Sequence, residues 1–269
     1  MSCFRWTEPD PFPSLCVELA LRSDPGRVRA KNEDRAVIGR AAPFAVVCDG
    51  MGGEAGGEIA STIASELITA AVEWAWPWRD VETALVSSIV QAGERVRAVA
   101  RAEPCYARMG TTATVAAFAS GLLVCAQIGD SRAYLLRGGR LRQITRDQTM
   151  VELLRSQGIH PGEDVPTNVI LQAVGSSTRL DVVITRTPIE AGDVVLLCSD
   201  GLSGVVPHAE IEALLAAKPD PQAACDALVA RANDAGGPDN VTCVVARVQA
   251  TTRSSIATVS SNATRSTGD

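Results

Sequence analysis

The sequence contains few aromatic residues and few histidines. Phe, Trp and Tyr make up 4% of its 269 residues, and only His160 and His208 are histidines. Because the hydrophobic share is nevertheless 46%, we expect a globular core built mainly from Ala, Val, Leu and Ile. A mechanism that depends on histidine has two candidates at most. We expect His208 on the surface at the start of a helix and His160 in a polar loop, neither of them as a catalytic group.

A basic surface is also missing. The formal net charge is −6 and the sequence pI is about 5.1, whereas a protein that binds the phosphate backbone of nucleic acid needs a positively charged face. We therefore expect no nucleic-acid partner. The acidity is compatible with a site rich in carboxylates, but acidity by itself does not identify such a site.

The sequence has no clear membrane-spanning run. The segment 111–129 carries no charged residue and approaches the length of a spanning helix. It is rich in Thr, Ala and Ser, however, and Ser120-Gly121 in its middle predicts a tight turn between two buried strands. Residues 1–13 contain no hydrophobic stretch of the signal-peptide type. We therefore expect a monomer in the cytoplasm, with no membrane association.

The eight cysteines show no Cys-x-x-Cys spacing of the kind that binds metals. Cys48, Cys125, Cys198 and Cys243 lie inside apolar runs, where a free thiol behaves as a small hydrophobic residue. We predict buried, unpaired thiols, which fits a reducing compartment.

Hydrophobic periodicity divides the chain into strands and helices of a single domain. Strands are predicted at 15–21, 43–49, 113–119, 122–128, 132–137, 180–187, 193–198 and 241–248, with a hairpin turn at Gly138-Gly139. Helices are predicted from Ile59, from Val81 after an Asp80 N-cap, and at 149–156, 208–217 and 221–233. We expect an irregular segment over 1–13, one folded domain over 14–249 and a disordered tail over 250–269, which contains ten Ser or Thr.

Four aspartates stand at the ends of predicted strands. Asp49 and Asp200 each follow an apolar strand and precede a glycine, Asp130 follows a third strand, and Asp239 precedes a fourth. Functional residues favour such places, because a rigid sheet meets a permissive loop there. A single Asp-Gly pair would be interpreted as a turn. Four converging carboxylates would instead need cations between them, and Asp oxygens suit Mg²⁺ or Mn²⁺.

Six short motifs in a fixed order carry a more specific signal. They are Arg29-x-x-Asn32-Glu33-Asp34, Asp49-Gly50-Met51-Gly52-Gly53, Gly110-Thr111-Thr112-Ala113, Gly129-Asp130-Ser131-Arg132, Ser199-Asp200-Gly201 and Gly237-Pro238-Asp239-Asn240-Val241-Thr242. Over roughly residues 15–248 the series resembles the bacterial branch of the type 2C metal-dependent protein Ser/Thr phosphatases. The resemblance implies an α+β fold, an αββα sandwich in which two antiparallel β-sheets pack face to face between outer helices. The metal site would lie between the sheets at one end.

The resemblance also implies roles for the motif residues. Asp49, Asp200 and Asp239 would hold a first Mn²⁺ or Mg²⁺, Asp49 and the Gly50 carbonyl a second, and Asp130 with Asp200 a third, weaker ion. Glu33 and Asp34 would orient metal-bound waters, Asn240 would brace Asp239, and Arg29 would bind the substrate phosphate.

The reaction expected of such a site is hydrolysis of phosphoserine and phosphothreonine in proteins. A phosphoester dianion repels nucleophiles, and two cations about 3.5–4 Å apart can share a hydroxide while they polarise the phosphoryl oxygens. Arginine presents a planar fork to phosphate. Water then attacks in line with the departing oxygen, and no covalent phosphoenzyme is required. By resemblance, the partners would be phosphorylated proteins and a bacterial Ser/Thr kinase that the enzyme opposes.

Two positions depart from the family pattern. Met51 stands where eukaryotic members carry a histidine thought to protonate the leaving group, so a metal-bound water would supply that proton. Gln148 stands where relatives often have histidine, and the flap that follows, at about 158–176, is short and atypical. Because the flap shapes substrate access, the substrate preference does not follow from the resemblance.

Two alternatives stay open. Gly50-Met51-Gly52-Gly53-Glu54-Ala55 fits the dinucleotide-binding pattern G-x-G-x-x-A, although Asp49 would bring a carboxylate to the pyrophosphate and the later strands do not alternate with helices. An inactive regulatory module of the same fold is the second alternative, although all the aspartates named above are present. A haloacid-dehalogenase-type phosphatase is excluded, because its Asp-x-Asp nucleophile motif is absent from the sequence.

Overall fold

The computed structural model describes residues 15–52, 56–77, 80–160, 162, 165–166 and 169–250. The strands are β1 Leu15–Asp24, β2 Arg35–Ile38, β3 Phe44–Cys48, β4 Gly50–Met51, β5 Gly110–Thr111, β6 Ala113–Ala119, β7 Leu122–Ile128, β8 Arg132–Arg137, β9 Arg140–Gln143, β10 Val183–Pro188, β11 Val194–Cys198 and β12 Val241–Ala250. The helices are α1 Gly56–Trp74, α2 Val81–Ala102, α3 Met150–Ser156, α4 Asp200–Ser203, α5 His208–Ala217 and α6 Pro221–Asp234. The expected irregular segment at 1–13 and nearly all of the expected tail lie outside the described residues.

Two antiparallel sheets of five strands form the centre of the molecule. The first has the strand order β1-β12-β11-β8-β9, and the second has the order β10-β7-β6-β3-β2. β1 pairs with β12 from Leu15 opposite Ala250 to Asp24 opposite Val241. A short ladder of β4 and β5 joins Gly50 to Thr111. β12 thus continues one residue past the domain boundary expected at 249.

Three apolar clusters show that the sheets and helices form four layers. One cluster, with Leu19, Val47 and Leu197, fills the space between the sheets. A second joins the outer face of the second sheet to α1 and α2, and a third joins the outer face of the first sheet to α5 and α6. The order helix, sheet, sheet, helix is the αββα sandwich that the resemblance implies, and this prediction is confirmed.

The long helix α2 shows how the sequence specifies these layers. The Asp80 side chain accepts a hydrogen bond from the Thr83 amide, which caps the first turn of the helix. Leu85, Ile89 and Ala92 are buried and recur every three to four residues, so one face of the helix packs on the second sheet. The predicted N-cap and apolar stripe are therefore confirmed.

The uncharged segment 111–129 forms the hairpin of β6 and β7, with Ser120 and Gly121 in the left-handed turn between them. No helix among the described residues is long and apolar enough to cross a membrane. Cys48, Cys125, Cys198 and Cys243 are buried and unpaired, as predicted. Burial raises the pKa of the Cys125 thiol to about 12, so this thiol stays protonated. The predicted strand 180–187 begins later, at Val183.

Candidate active site

The four strand-end aspartates meet at one end of the sandwich, between the two sheets. Asp49 follows β3 and Asp130 follows β7 in the second sheet, whereas Asp200 follows β11 and Asp239 precedes β12 in the first. They share a cavity of about 670 Å³. Its lining consists of Arg29, Ala30, Lys31, Glu33, Asp49, Gly50, Met51, Gly52, Thr112, Asp130, Ile170, Asp200, Asp239 and Asn240.

All but one of the residues predicted for the site line this cavity. The exception is Asp34, which is 2% exposed and lies beneath it. His160 and His208 are not among the described residues of the lining. Met51 does line the cavity.

The backbone around Asp49 is fixed by two threonines. Its amide donates to Thr112 Oγ1 at 2.9 Å, and its carbonyl accepts from Thr111 Oγ1 at 2.9 Å. A side chain on the next residue, Gly50, would collide with the carbonyl oxygen of Glu33, so only glycine fits there. The Thr-Thr pair holds the loop that carries Asp49, a structural role that sequence reasoning did not assign.

Asp34 is a buried carboxyl with one unsatisfied oxygen. Its Oδ2 accepts a 2.7 Å hydrogen bond from Ser199 Oγ, whereas Oδ1 has no hydrogen-bond partner among the described residues. Burial, together with the charges of Asp200 and Asp239, raises the pKa of Asp34 to about 7, despite the opposing hydrogen bonds. A buried polar atom without a partner is costly, which indicates that something else satisfies it in the working protein.

The pKa values of Asp49, Asp130 and Asp200 are also shifted toward the neutral form. Burial and the charge of Asp34 raise the pKa of Asp49 well above its usual range. Burial and the charge of Asp200 raise the pKa of Asp130 to about 7, and burial and the charge of Asp239 raise the pKa of Asp200. Several partly dehydrated carboxylates that repel one another are the condition that a bound cation relieves.

Arg29 and Asp239 form an ion pair at the mouth of the cavity. Arg29 Nη2 donates to Asp239 Oδ2 at 2.8 Å, and the two side chains are 55% and 37% exposed. Arg29 lies in the loop between β1 and β2, not on a strand. Its charge also counteracts the effect of burial, which raises the pKa of Glu33. The arginine therefore faces the carboxylates from the solvent side.

Asn240 connects the first sheet to this same loop. Its Oδ1 accepts from the Glu33 amide at 2.8 Å, and its Nδ2 donates to the carbonyls of Pro25 at 3.0 Å and Lys31 at 2.8 Å. Its backbone amide donates to Asp239 Oδ1 at 2.8 Å. The Asn240 side chain thus positions the loop 25–33, whereas only its backbone contacts Asp239.

The donor set suits a hard divalent cation, because every candidate ligand is a carboxylate or carbonyl oxygen. The described residues contain no group of three or more His, Cys, Asp or Glu side chains already arranged around one point as a metal site. Arg29 holds one oxygen of Asp239, one of the candidate ligands. The residues fit the ions in chemistry and in location, and binding would require side-chain adjustments.

Known proteins resemble the chain over the same region. The sequence profile of the Protein phosphatase 2C family matches residues 30–241. Serine/threonine phosphatase Stp of Listeria innocua is 35% identical over 241 residues, which cover 82% of this chain and 92% of that protein. PstP of Mycobacterium tuberculosis is 38% identical over 240 residues, which cover 87% of this chain and 46% of that protein. The crystal structure of the PstP catalytic domain in complex with two manganese ions matches with a TM-score of 0.80, over 87% of this chain and 99% of that one.

Proposed function

The chain belongs to the protein phosphatase 2C family, and we propose that the carboxylate-lined cavity is the catalytic site of its phosphatase activity. The chain is a protein-serine/threonine phosphatase that uses Mn²⁺ or Mg²⁺. The observation that supports the cavity as the site is the convergence of Asp49, Asp130, Asp200 and Asp239 on one space with Arg29 at its mouth. Phosphoester hydrolysis at such a site needs carboxylates that bind the metal ions and a positively charged side chain that binds the phosphate.

We assign the metal ligands as the family resemblance implies. Asp49, Asp200 and Asp239 would hold a first ion, Asp49 and the Gly50 carbonyl a second, and Asp130 with Asp200 a third, weaker one. The chemistry that bound cations supply is positive charge, which makes hydroxide available near neutral pH and polarises the phosphoryl oxygens.

The other residues act on substrate and water. Arg29 leaves its ion pair with Asp239 to bind two phosphoryl oxygens of the substrate, because its guanidinium presents parallel donors. Glu33 and Asp34 would orient the waters bound to the ions. Asn240 keeps the loop of Arg29 and Glu33 in place through the Pro25, Lys31 and Glu33 backbone. An apolar side chain such as Leu, Ile or Val could not perform any of these roles, because each needs a hydrogen-bond donor or acceptor.

The alternative functions are not favoured. The two sheets are antiparallel throughout, whereas a dinucleotide-binding fold is built on parallel βαβ units. An inactive regulatory module would be expected to lose ligands, but Asp49, Asp130, Asp200 and Asp239 all line the cavity. The named relatives are themselves Ser/Thr phosphatases.

The test is turnover of a phosphothreonine peptide by the full chain in Mn²⁺ or Mg²⁺, with and without EDTA. We expect activity that requires the ion and disappears with the chelator. Calorimetric titration of Mn²⁺ into the same protein measures the ions independently of turnover. Full activity after removal of all divalent ions would refute the assignment of the cavity.

We further propose the setting in which the enzyme works. It would act as a monomer in the cytoplasm, where it would oppose a Ser/Thr kinase by removing phosphate from the proteins that this kinase modifies. Light scattering after gel filtration tests the monomer. A kinase pull-down, followed by dephosphorylation of the captured kinase and its substrates, tests the pairing, and cell fractionation tests the location.

A further inference from the structure

Gln148 occupies a junction between two parts of the cavity that come from distant positions in the chain. Its side-chain Oε1 accepts from the Gly129 amide at 2.7 Å, and its own amide donates to the Gly129 carbonyl at 3.1 Å. The same Oε1 accepts from Gln172 Nε2 at 3.1 Å, and the Gln148 carbonyl accepts from the Leu171 amide at 2.8 Å. One residue thereby connects the loop before Asp130 to the segment 169–172.

A second glutamine also holds the Asp130 side of this junction. Gln127 Nε2 donates to the carbonyls of Gly129 at 3.3 Å and Ser131 at 3.0 Å, the two neighbours of Asp130. Gln148 Nε2 approaches the Gln127 carbonyl at 3.4 Å. Gly129 has a φ of 95°, a left-handed conformation that glycine adopts readily, and these hydrogen bonds contribute to holding the turn that presents Asp130 to the cavity.

The other side of the junction forms part of the cavity wall. Ile170 lines the cavity and bridges to Thr149, the residue after Gln148. The neighbouring Val169 accepts from the Met150 amide at 2.9 Å. The wall at Ile170 therefore rests on the segment 148–150. Gln172 continues the connection outward, because its amide group exchanges hydrogen bonds with the Asp181 backbone at 2.9 and 3.0 Å.

We propose that Gln148 is a positioning residue that fixes the Asp130 loop against the cavity wall at Ile170, so that binding of a divalent cation at Asp130 and binding of a phosphopeptide along the wall depend on the same side chain. The inference rests on the proposed function, since it assigns a cation to Asp130 and a peptide to the cavity. The residue touches neither the phosphate nor the cation. It acts through the Gly129 amide on one side and Gln172 on the other.

Three substitutions separate the two sides. Gln148→Leu keeps a similar size but removes both hydrogen bonds of Oε1. Gln172→Leu leaves the bond between Gln148 and Gly129 but removes the bond between the two glutamine side chains, together with the two bonds of Gln172 to the Asp181 backbone. Gln148→Glu is the rescue variant, because a carboxylate oxygen still accepts from Gly129 and Gln172. Gln222→Leu on α6 is the matched control, since the partners of the Gln222 side chain in the described part of the chain are Leu21 and Asp226, outside the cavity.

The test combines calorimetry and kinetics on the full chain. A neutral hydrogen bond contributes about 0.5–1.5 kcal/mol, which corresponds to a factor of about 2 to 12. For Gln148→Leu we expect the dissociation constant of the most weakly bound Mn²⁺, measured without substrate, to rise about 2- to 12-fold. We expect the KM for a phosphothreonine peptide to rise by the same factor. For Gln172→Leu we expect only the peptide KM to rise. KM for p-nitrophenyl phosphate, which has no flanking residues to rest on Ile170, should change less than twofold in Gln172→Leu.

The outcomes distinguish this inference from the proposed function. A purely structural role would lower the fraction of folded enzyme, so kcat and melting temperature would fall while both KM values and the Mn²⁺ affinity stayed constant. That result would overturn the inference, and so would a Mn²⁺ dissociation constant and a peptide KM of Gln148→Leu within twofold of those of the Gln222→Leu control. In either case ion-dependent turnover by the wild-type chain would still support the proposed function. Recovery in Gln148→Glu would support the inference. A wild-type chain with no ion-dependent turnover would instead overturn the proposed function.

Discussion

Replacement of Arg29 by alanine separates phosphate binding from structural effects. In the folded protein Arg29 donates one 2.8 Å hydrogen bond to Asp239, and both side chains are more than a third exposed. An exposed ion pair of this kind contributes only about 0–1 kcal/mol to stability. For a domain of this size, 1 kcal/mol corresponds to roughly 2–4 °C in melting temperature. We therefore expect Arg29→Ala to melt within about 4 °C of the wild type.

The effect on turnover should be much larger. A hydrogen bond to a charged group contributes about 1.5–3 kcal/mol, so loss of the phosphate contact should lower kcat/KM by roughly 10- to 150-fold. If Arg29 binds the phosphate equally in ground and transition states, only KM rises. If the contact tightens as charge moves onto the oxygens, kcat falls as well. Arg29→Lys should recover activity only in part, because lysine supplies the charge without the fork.

Arg27 is the matched control. It lies two residues earlier in the same loop, has a side chain 58% exposed, and pairs with Asp24 at 3.4 Å outside the cavity lining. Arg27→Ala should leave kcat/KM for p-nitrophenyl phosphate nearly unchanged. The Mn²⁺ affinity of Arg29→Ala should stay equal or increase, because the substitution frees an oxygen of Asp239. Equal, small kinetic effects of both substitutions, or a tenfold loss of Mn²⁺ affinity, would refute the reasoning.

Three further predictions concern the carboxylates and the chain terminus. Asp49→Ala and Asp239→Ala should each leave less than a tenth of wild-type turnover, since each removes a proposed ligand oxygen. Asp130→Ala should lower turnover less, and its activity, measured against ion concentration, should depend differently on Mn²⁺ from that of the wild type. In EDTA the melting temperature should fall as pH rises from about 4 through 7. Folded Asp34 and Asp130, with pKa values raised from the ordinary 3.8 to about 7, retain protons in that range that the unfolded chain has lost. Saturating Mn²⁺ should flatten this slope, and a melting temperature that rises over the range in EDTA would contradict the shifts. Truncation after Ala250, where β12 ends, should preserve melting temperature and peptide turnover, and a loss of either would show that residues 251–269 contribute.

Most elements could be predicted from sequence, because their signals are local, whereas the layer order was implied by the family resemblance. The Asp80 cap and the apolar spacing of α2 lie within one segment, and the hairpin of β6 and β7 is marked by its own Ser120-Gly121 turn. Strand boundaries such as Val183 were less accurate, since hydrogen bonding to β7 decides where β10 begins.

The candidate residues could be found by motif because each motif contains its own strand end and turn. Their connections could not, because these join residues far apart in the chain. Thr112 fixes Asp49 from 63 positions away, and Ser199 bonds to Asp34 across 165. Asn240 shows the limit clearly, since the expected bracing of Asp239 is made by its backbone while its side chain positions the loop 25–33.

The sequence by itself determined the chemistry of this protein: aspartates at strand ends, an arginine ahead of Glu33 and Asp34, and apolar strands able to form two buried sheets. Only the tertiary structure decided how those groups affect one another. It placed Arg29 on Asp239, buried Asp34 with one unsatisfied oxygen, and joined Asp130 to Ile170 through Gln148. The physical reason is that a carboxyl pKa and an ion pair depend on burial and on neighbours in space, and those are fixed when the two sheets pack together.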